Sequence, residues 1–171
     1  QPAAVDVAAL LMSSATQVGR LVGDRIRLSL DVGTAPLSVL ADASQVEQVI
    51  VNLVLNARDA MAAGGTLTIT AGAATRRSPD ASDTGTRLES RRVARLTVSD
   101  TGSGIDPAVR ARMYEPYVTT KSADTHSGLG LAVVRGIVEQ LGGSIEATTT
   151  PGTGTTFAVD LPLTRLADPP G

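Results

Sequence analysis

The sequence of 171 residues contains no cysteine, no tryptophan, one phenylalanine, two tyrosines and a single histidine. Without cysteine it has no disulfide framework, no thiolate metal site and no cysteine nucleophile. His126 lacks a second histidine with which to build an ordinary zinc site, and its glycine-flanked surroundings suit a Ser-His-Asp triad poorly. Aromatics at 2% exclude a binder that stacks single-stranded bases on rings. A net charge of -2 with both signs interspersed offers no basic stripe for nucleic acid and no polybasic patch for direct membrane contact. No apolar run approaches the roughly 20 residues that span a bilayer, and no signal-peptide pattern opens the chain. These absences predict a cytoplasmic domain. Because Gln1 stands where a start methionine would, the chain reads as a piece of a longer protein, which leaves open a membrane anchor elsewhere.

What is present is an aliphatic core. Hydrophobic residues make up 42% of the chain, so Leu, Val, Ile and Ala must fill the interior. The length suits one domain that buries about two-thirds of its unfolded surface. Apolar spacing predicts an opening helix over Val5 to Val22, then strands over Ile26 to Val32 and Pro36 to Leu40. Asp42 or Ser44 caps a long helix from Ser44 to Met61. One arc of it holds Val46, Val49, Ile50, Leu53, Ala57 and Ala60, and a second holds Gln45, Gln48, Asn52, Asn56 and Asp59. Strands are expected at Thr66 to Thr70 and Val93 to Ser99, around a mobile hairpin loop over residues 73–92. Asp106-Pro107 starts a short helix reaching about Met113. A flexible lid follows over residues 118–130, then a helix from Leu129 to Leu141. A hairpin of Ser144 to Thr149 and Thr155 to Leu161 closes the domain, which spans 1–166, and residues 167–171 read as a disordered tail. The alternation of helices and strand pairs predicts an α/β fold with helices on one face of a mixed sheet.

Three segments carry candidate chemistry. Asp100-Thr-Gly-Ser-Gly104 ends a strand with a carboxylate that can accept from an exocyclic amine such as adenine N6, and its glycines permit close backbone approach. Alone, this pattern more often marks an ordinary tight turn. Asn52 and Asn56, four residues apart, share a helix face. Their amide oxygens suit Mg²⁺ completed by phosphates, although a solvated face would look the same. Ser127-Gly-Leu-Gly-Leu131 precedes a helix, as where N-terminal amides receive phosphate, yet it is neither a Walker A loop nor a Rossmann fingerprint. Lys121, after Thr119-Thr120, is a candidate phosphate contact, and Gly152-Thr-Gly154-Thr155 reads in isolation as a hairpin turn.

In order, these pieces resemble the catalytic ATP-binding domain of sensor histidine kinases, within the superfamily of gyrase, heat-shock chaperone and mismatch-repair ATPases. The matching stretches are Gln45 to Met61 (the N box), Asp100 to Ile105, Tyr114-Glu-Pro-Tyr-Val-Thr-Thr-Lys121 (the F box), Gly128-Leu-Gly-Leu131 and Gly152 to Thr155. The sequence Asn56-Ala-Arg-Asp-Ala-Met61 and the Thr119-Thr-Lys121 run are nearest the nitrogen-regulatory and PAS-linked kinases. The resemblance implies a two-layer α/β sandwich of the Bergerat type, with a mixed, mostly antiparallel sheet. It implies Mg²⁺ on Asn56, the γ-phosphate near Asn52, and adenine N6 on Asp100. Gly102 and Gly104 would shape the adenine side, and Gly128 and Gly130 the phosphate side. Asp59, Ile105, Thr119, Thr120, Lys121, Leu129, Leu131 and Thr155 complete the implied nucleotide contacts. The implied chemistry is ATP-dependent phosphoryl transfer, largely by positioning and charge neutralisation.

Some features depart from the family pattern. Tyr114 and Tyr117 replace the usual phenylalanines, and Ser127 departs from the longer G-x-G-L-G-L box. No histidine lies in a helical His-Glu or His-Asp context, so the phosphoacceptor would be on a separate dimerisation domain, with a response regulator downstream. An anti-sigma-type serine kinase and a nucleotide-sensing module of the same fold are the alternatives.

Overall fold

A computed structural model describes residues 1–77, 90–115 and 130–164. Its elements run β1 (Ala3–Asp6), α1 (Val7–Ser13), α2 (Ala15–Val22), β2 (Ile26–Val32), β3 (Ser38–Ala41), α3 (Ala43–Ala60), β4 (Gly65–Arg77), β5 (Ser90–Asp100), α4 (Pro107–Arg110), α5 (Gly130–Gln140), β6 (Ser144–Thr150) and β7 (Gly154–Pro162). Five strands form one sheet in the order β2-β4-β5-β7-β6. Only β2 and β4 run parallel; the other pairs are antiparallel. This is the mixed, mostly antiparallel sheet expected from the sequence.

The strand register explains the two-layer build. Leu30, Ile69, Val98, Phe157 and Ala147 are successive cross-strand partners, as are Val32, Ala71, Leu96, Val159 and Ile145. Paired residues point to the same face, so these two rows make one continuous apolar surface. Val7 and Leu11 of α1, Val18 of α2, Val49 and Leu53 of α3, and Val134 and Val138 of α5 share its buried core. Each fully buried side chain of this size contributes about 1.5–3 kcal/mol. Alternate residues face the other way, and there Ser29, Thr68, Ser99, Thr156 and Thr148 form a row of hydroxyls.

The opening helix differs from expectation. Residues 3–6 form β1, antiparallel to β3, and the helical stretch is divided between α1 and α2 at Ser14. Asp6 fixes where the first helix begins: its carboxylate accepts from the N–H groups of Ala8 and, 31 residues on, Leu37. It thereby caps α1 and ties it to the approach to β3. Apolar periodicity cannot register such a bond between distant segments.

The long helix forms as its sequence dictates. Asp42 caps α3 by accepting from the N–H of Ser44. Of the anticipated core arc, Val46, Val49, Ile50, Leu53 and Ala57 are buried, together with Val54 and Met61, while Ala60 is half-buried. β4 and β5 are longer than expected. Thr75, Arg76 and Arg77 pair with Arg92, Arg91 and Ser90, so backbone pairing continues where a polar composition reads as loop. The rest of that anticipated loop, residues 78–89, lies outside the described residues, as do residues 118–129 of the anticipated lid. The anticipated tail, with residues 165–171, is likewise outside. Asp106 and Pro107 start α4 as expected, but the helix ends at Arg110 and gives way to turns before Met113.

Candidate functional site

The alternation that buries Leu96 and Val98 carries Asp100 to the same face at the end of β5. The third cross-sheet row reads Leu28, Leu67, Asp100, Thr155, Thr149, turning from apolar to polar at its middle. Asp100 is 6% exposed. Burial pushes its carboxyl above the ordinary value, while the N–H groups of Gly102 and Thr155 favour its charged form and limit the rise. The Gly102 N–H donates to Asp100 Oδ1 at 2.8 Å.

The turn after Asp100 is held on several sides. Thr101 Oγ1 accepts from the N–H of Thr66 at 3.0 Å. The Ser103 N–H donates to the carbonyl of Ala60 at 3.1 Å, and the Ser103 carbonyl accepts from the Gly152 N–H at 2.6 Å. The Ile105 N–H donates to Thr149 Oγ1 at 2.8 Å. A side chain at Gly102 would collide with the Ala60 carbonyl. Gly104 has φ of 73° and lies against the carbonyl of Thr150, so both conformation and space demand glycine there. Here the glycines serve close approach of protein backbone, which the bare motif could not disclose.

This docking brings the polar face of α3 to the turn. Asn56 stands one helical turn before Ala60 on the same side of the helix. Asn52 and Asn56 are both half-buried, and neither side chain makes a hydrogen bond to another described residue. Asp59, also half-buried, lies 3.5 Å from the Arg58 guanidinium, which also reaches the carbonyl of Leu21. Among the described residues there is no cluster of three His, Asp or Glu side chains able to hold a metal ion. The amide oxygens of Asn52 and Asn56, which no other described residue hydrogen-bonds, are of the hard, neutral type that can ligate a cation.

Thr155 is 4% exposed beside Asp100, and Ile105 is half-buried against the core. Gly130 opens α5, and a side chain there would meet no described atom within 4 Å. Leu131 packs against the core. Thr119, Thr120, Lys121, Gly128 and Leu129 lie outside the described residues. Tyr114 packs on the core with the Arg135 guanidinium 5.4 Å from its ring centroid, and burial pushes its phenol upward. The residues that sequence reasoning passed over are Ser103 and Thr149. Thr149 had a usable signal, since it continues the every-second-residue set Ile145, Ala147. Ser103 binds through its backbone and had none.

A mixed sheet backed by helices, with a buried acid and a glycine turn docked on an asparagine-bearing helix, defines a class of α/β nucleotide-site architecture. Residues 41–165 match the family described as histidine kinase-, DNA gyrase B-, and HSP90-like ATPase. The chain belongs to this family. It is 41% identical over 167 residues to the sensor kinase CckA of Brucella abortus (strain 2308), a match covering 95% of this chain and 17% of that protein. To the sensor histidine kinase ZraS of Escherichia coli (strain K12) it is 35% identical over 171 residues, covering 98% of this chain and 33% of that one. Among solved structures it is similar to full-length ShkA in complex with AMPPNP, with a TM-score of 0.75 and 27% identity, covering 98% of this chain and 32% of the other. The chain thus spans a third or less of the length of these relatives.

Proposed function

We propose that this domain binds ATP with Mg²⁺ and, within a longer protein, donates the γ-phosphoryl group to a histidine on a separate dimerisation domain, from which a response regulator receives it. The observation that carries this reading is the buried Asp100 at a strand end, next to a turn anchored on the asparagine helix. Its carboxylate would accept from the adenine amine. Asn52 and Asn56 would face the phosphates, with the Asn56 amide oxygen on Mg²⁺, while Asp59 lies one turn on. The ion would neutralise phosphate charge, and the protein's own share is to hold the nucleotide in line with the acceptor. The amides at the start of α5, at Gly130 and Leu131, would face phosphate oxygens. Thr119, Thr120, Lys121, Gly128 and Leu129 would complete that side. In transfer, the histidine nitrogen bonds to the γ-phosphorus as the bond to the ADP oxygen breaks.

The kinship with named sensor kinases favours a histidine acceptor over a serine one. A domain that consumes ATP works where ATP is made, on the cytoplasmic side. Residues 1–166 would act as one catalytic unit, with the lid in 118–130. Titration calorimetry of the chain with ATP and Mg²⁺ should give saturable binding in the micromolar range or weaker. Mixing with a histidine-bearing helical-hairpin domain and labelled ATP should then yield acid-labile phosphohistidine. Absence of any ATP or ADP binding would sink the reading.

A further inference from the structure

Two arginine pairs, Arg76-Arg77 and Arg91-Arg92, lie apart in the chain, and the composition shows no basic stripe. Strand pairing assembles one. Arg76 is the cross-strand partner of Arg91, Thr75 of Arg92 and Arg77 of Ser90, so four guanidinium groups gather on three adjacent rungs. β2 flanks β4 only as far as Ala71, and β7 flanks β5 only from Val93. The three rungs therefore stand past their neighbouring strands as a two-stranded arm. Arg76 and Arg91 share the face that carries Arg95, and Arg77 and Arg92 lie on the other.

Carboxylates occupy part of this cluster. Arg95 holds Asp160 through two bonds, and Arg76 lies 3.4 Å from Glu146 and 3.5 Å from Asp160. Arg77, Arg91 and Arg92 are exposed, and among the described residues none of their guanidinium groups makes a hydrogen bond or an ion pair. Like charges directly opposite each other weaken a strand pair, and a β-branched residue would suit the place of Arg91 better. The charge of Arg91 thus works against the strand pair that carries it, in a chain whose net charge is -2.

We infer that the arm is a docking surface for a carboxylate-rich segment of a partner protein, with Arg77, Arg91 and Arg92 as its free anchors. The planar guanidinium fork matches a carboxylate, as Arg95 on Asp160 shows nearby. A flat anionic bilayer would meet one face of the arm, whereas these anchors lie on both. A nucleic acid would be repelled at long range by the net negative chain, and the three rungs offer no aromatic ring for its bases. A short acidic segment carries far less charge and can follow the arm round its edge. The surface is separate from the nucleotide site, since Arg92 precedes Asp100 by eight strand residues, roughly 26 Å.

The experiment is fluorescence anisotropy of a labelled peptide of eight glutamates titrated with the chain at about 0.05 M salt, where exposed charges are little screened. Wild type should bind it saturably, and Arg91→Gln/Arg92→Gln should weaken binding by at least about fivefold, the worth of two exposed ion pairs. Adding Arg77→Gln should weaken it further. Arg20→Gln/Arg25→Gln removes the same charge from exposed positions elsewhere and should stay within about twofold of wild type. No binding by wild type, or an equal loss in that control, would overturn the proposal. So would tighter binding of a single-stranded oligonucleotide with eight phosphates, or retention of the chain on phosphatidylglycerol vesicles. Arg91→Gln/Arg92→Gln should melt no lower than wild type and bind ATP with unchanged affinity. A fall in Tm of more than about 5 °C, or failure to fold, assigns the two arginines to the scaffold and rejects the docking role.

Discussion

The N–H of Ser103 donates to the carbonyl oxygen of Ala60 at 3.1 Å, so the last turn of α3 and the turn after Asp100 form one piece of structure. A Cβ at Gly102 would collide with that same carbonyl, whereas one at Gly130 would meet no described atom. Gly102→Ala should therefore destabilise the domain by about 1–3 kcal/mol, a fall in Tm on the order of 5 °C. Gly130→Ala should leave Tm nearly unchanged while weakening ATP. Thermal melts of both variants, paired with calorimetry, check the contrast.

Asp100→Asn should separate binding from stability. The asparagine oxygen can still accept from the Gly102 N–H, so the turn keeps its internal bond. Burial raises the Asp100 pKa, so the folded state holds the proton more tightly than the unfolded chain. The wild type consequently loses stability as pH rises from the ordinary carboxylate value through the raised one. The variant should lack this loss and melt no lower than wild type at pH 7, yet bind ATP at least about tenfold more weakly. A large fall in Tm would assign Asp100 to the scaffold instead.

Neither the Asn52 nor the Asn56 side chain hydrogen-bonds another described residue, so their truncation should spare the fold. Asn56→Ala is expected to abolish most of the Mg²⁺ dependence of ATP affinity with Tm changed by about 0.5 kcal/mol equivalent or less. Asn52→Ala should weaken ATP more than ADP, since it is read as facing the terminal phosphate. Calorimetry with and without Mg²⁺ distinguishes these outcomes.

On the opposite face of the sheet, Arg95 grips Asp160 through two bonds of 2.7 and 2.8 Å. The Asp160 side chain is only 7% exposed, and its other cation, Arg76, stands at 3.5 Å. Arg95→Met should cost about 1–2 kcal/mol by leaving a buried carboxylate poorly partnered. Because Arg95 precedes Asp100 by five strand residues, roughly 17 Å, ATP affinity should be unaffected. Denaturant melts and calorimetry on the same sample test both halves.

The sequence by itself determined α3, through the Asp42 cap, an unbroken run without glycine or proline, and an apolar arc that tertiary packing needed only to cover. It also determined the sheet's inward face, because alternation at Leu96, Val98 and Asp100 is a local property of an extended chain. Tertiary structure alone decided what the glycines after Asp100 are for, since the groups they accommodate are the backbone carbonyls of Ala60 at Gly102 and of Thr150 at Gly104, and every residue type carries a carbonyl. It alone set where the opening helix begins, after a short strand, through a carboxylate at Asp6 bonded to Leu37. It alone set Thr149 beside Thr155 and Asp100, because register between strands is fixed by backbone bonds between segments far apart in the chain, which no local pattern encodes.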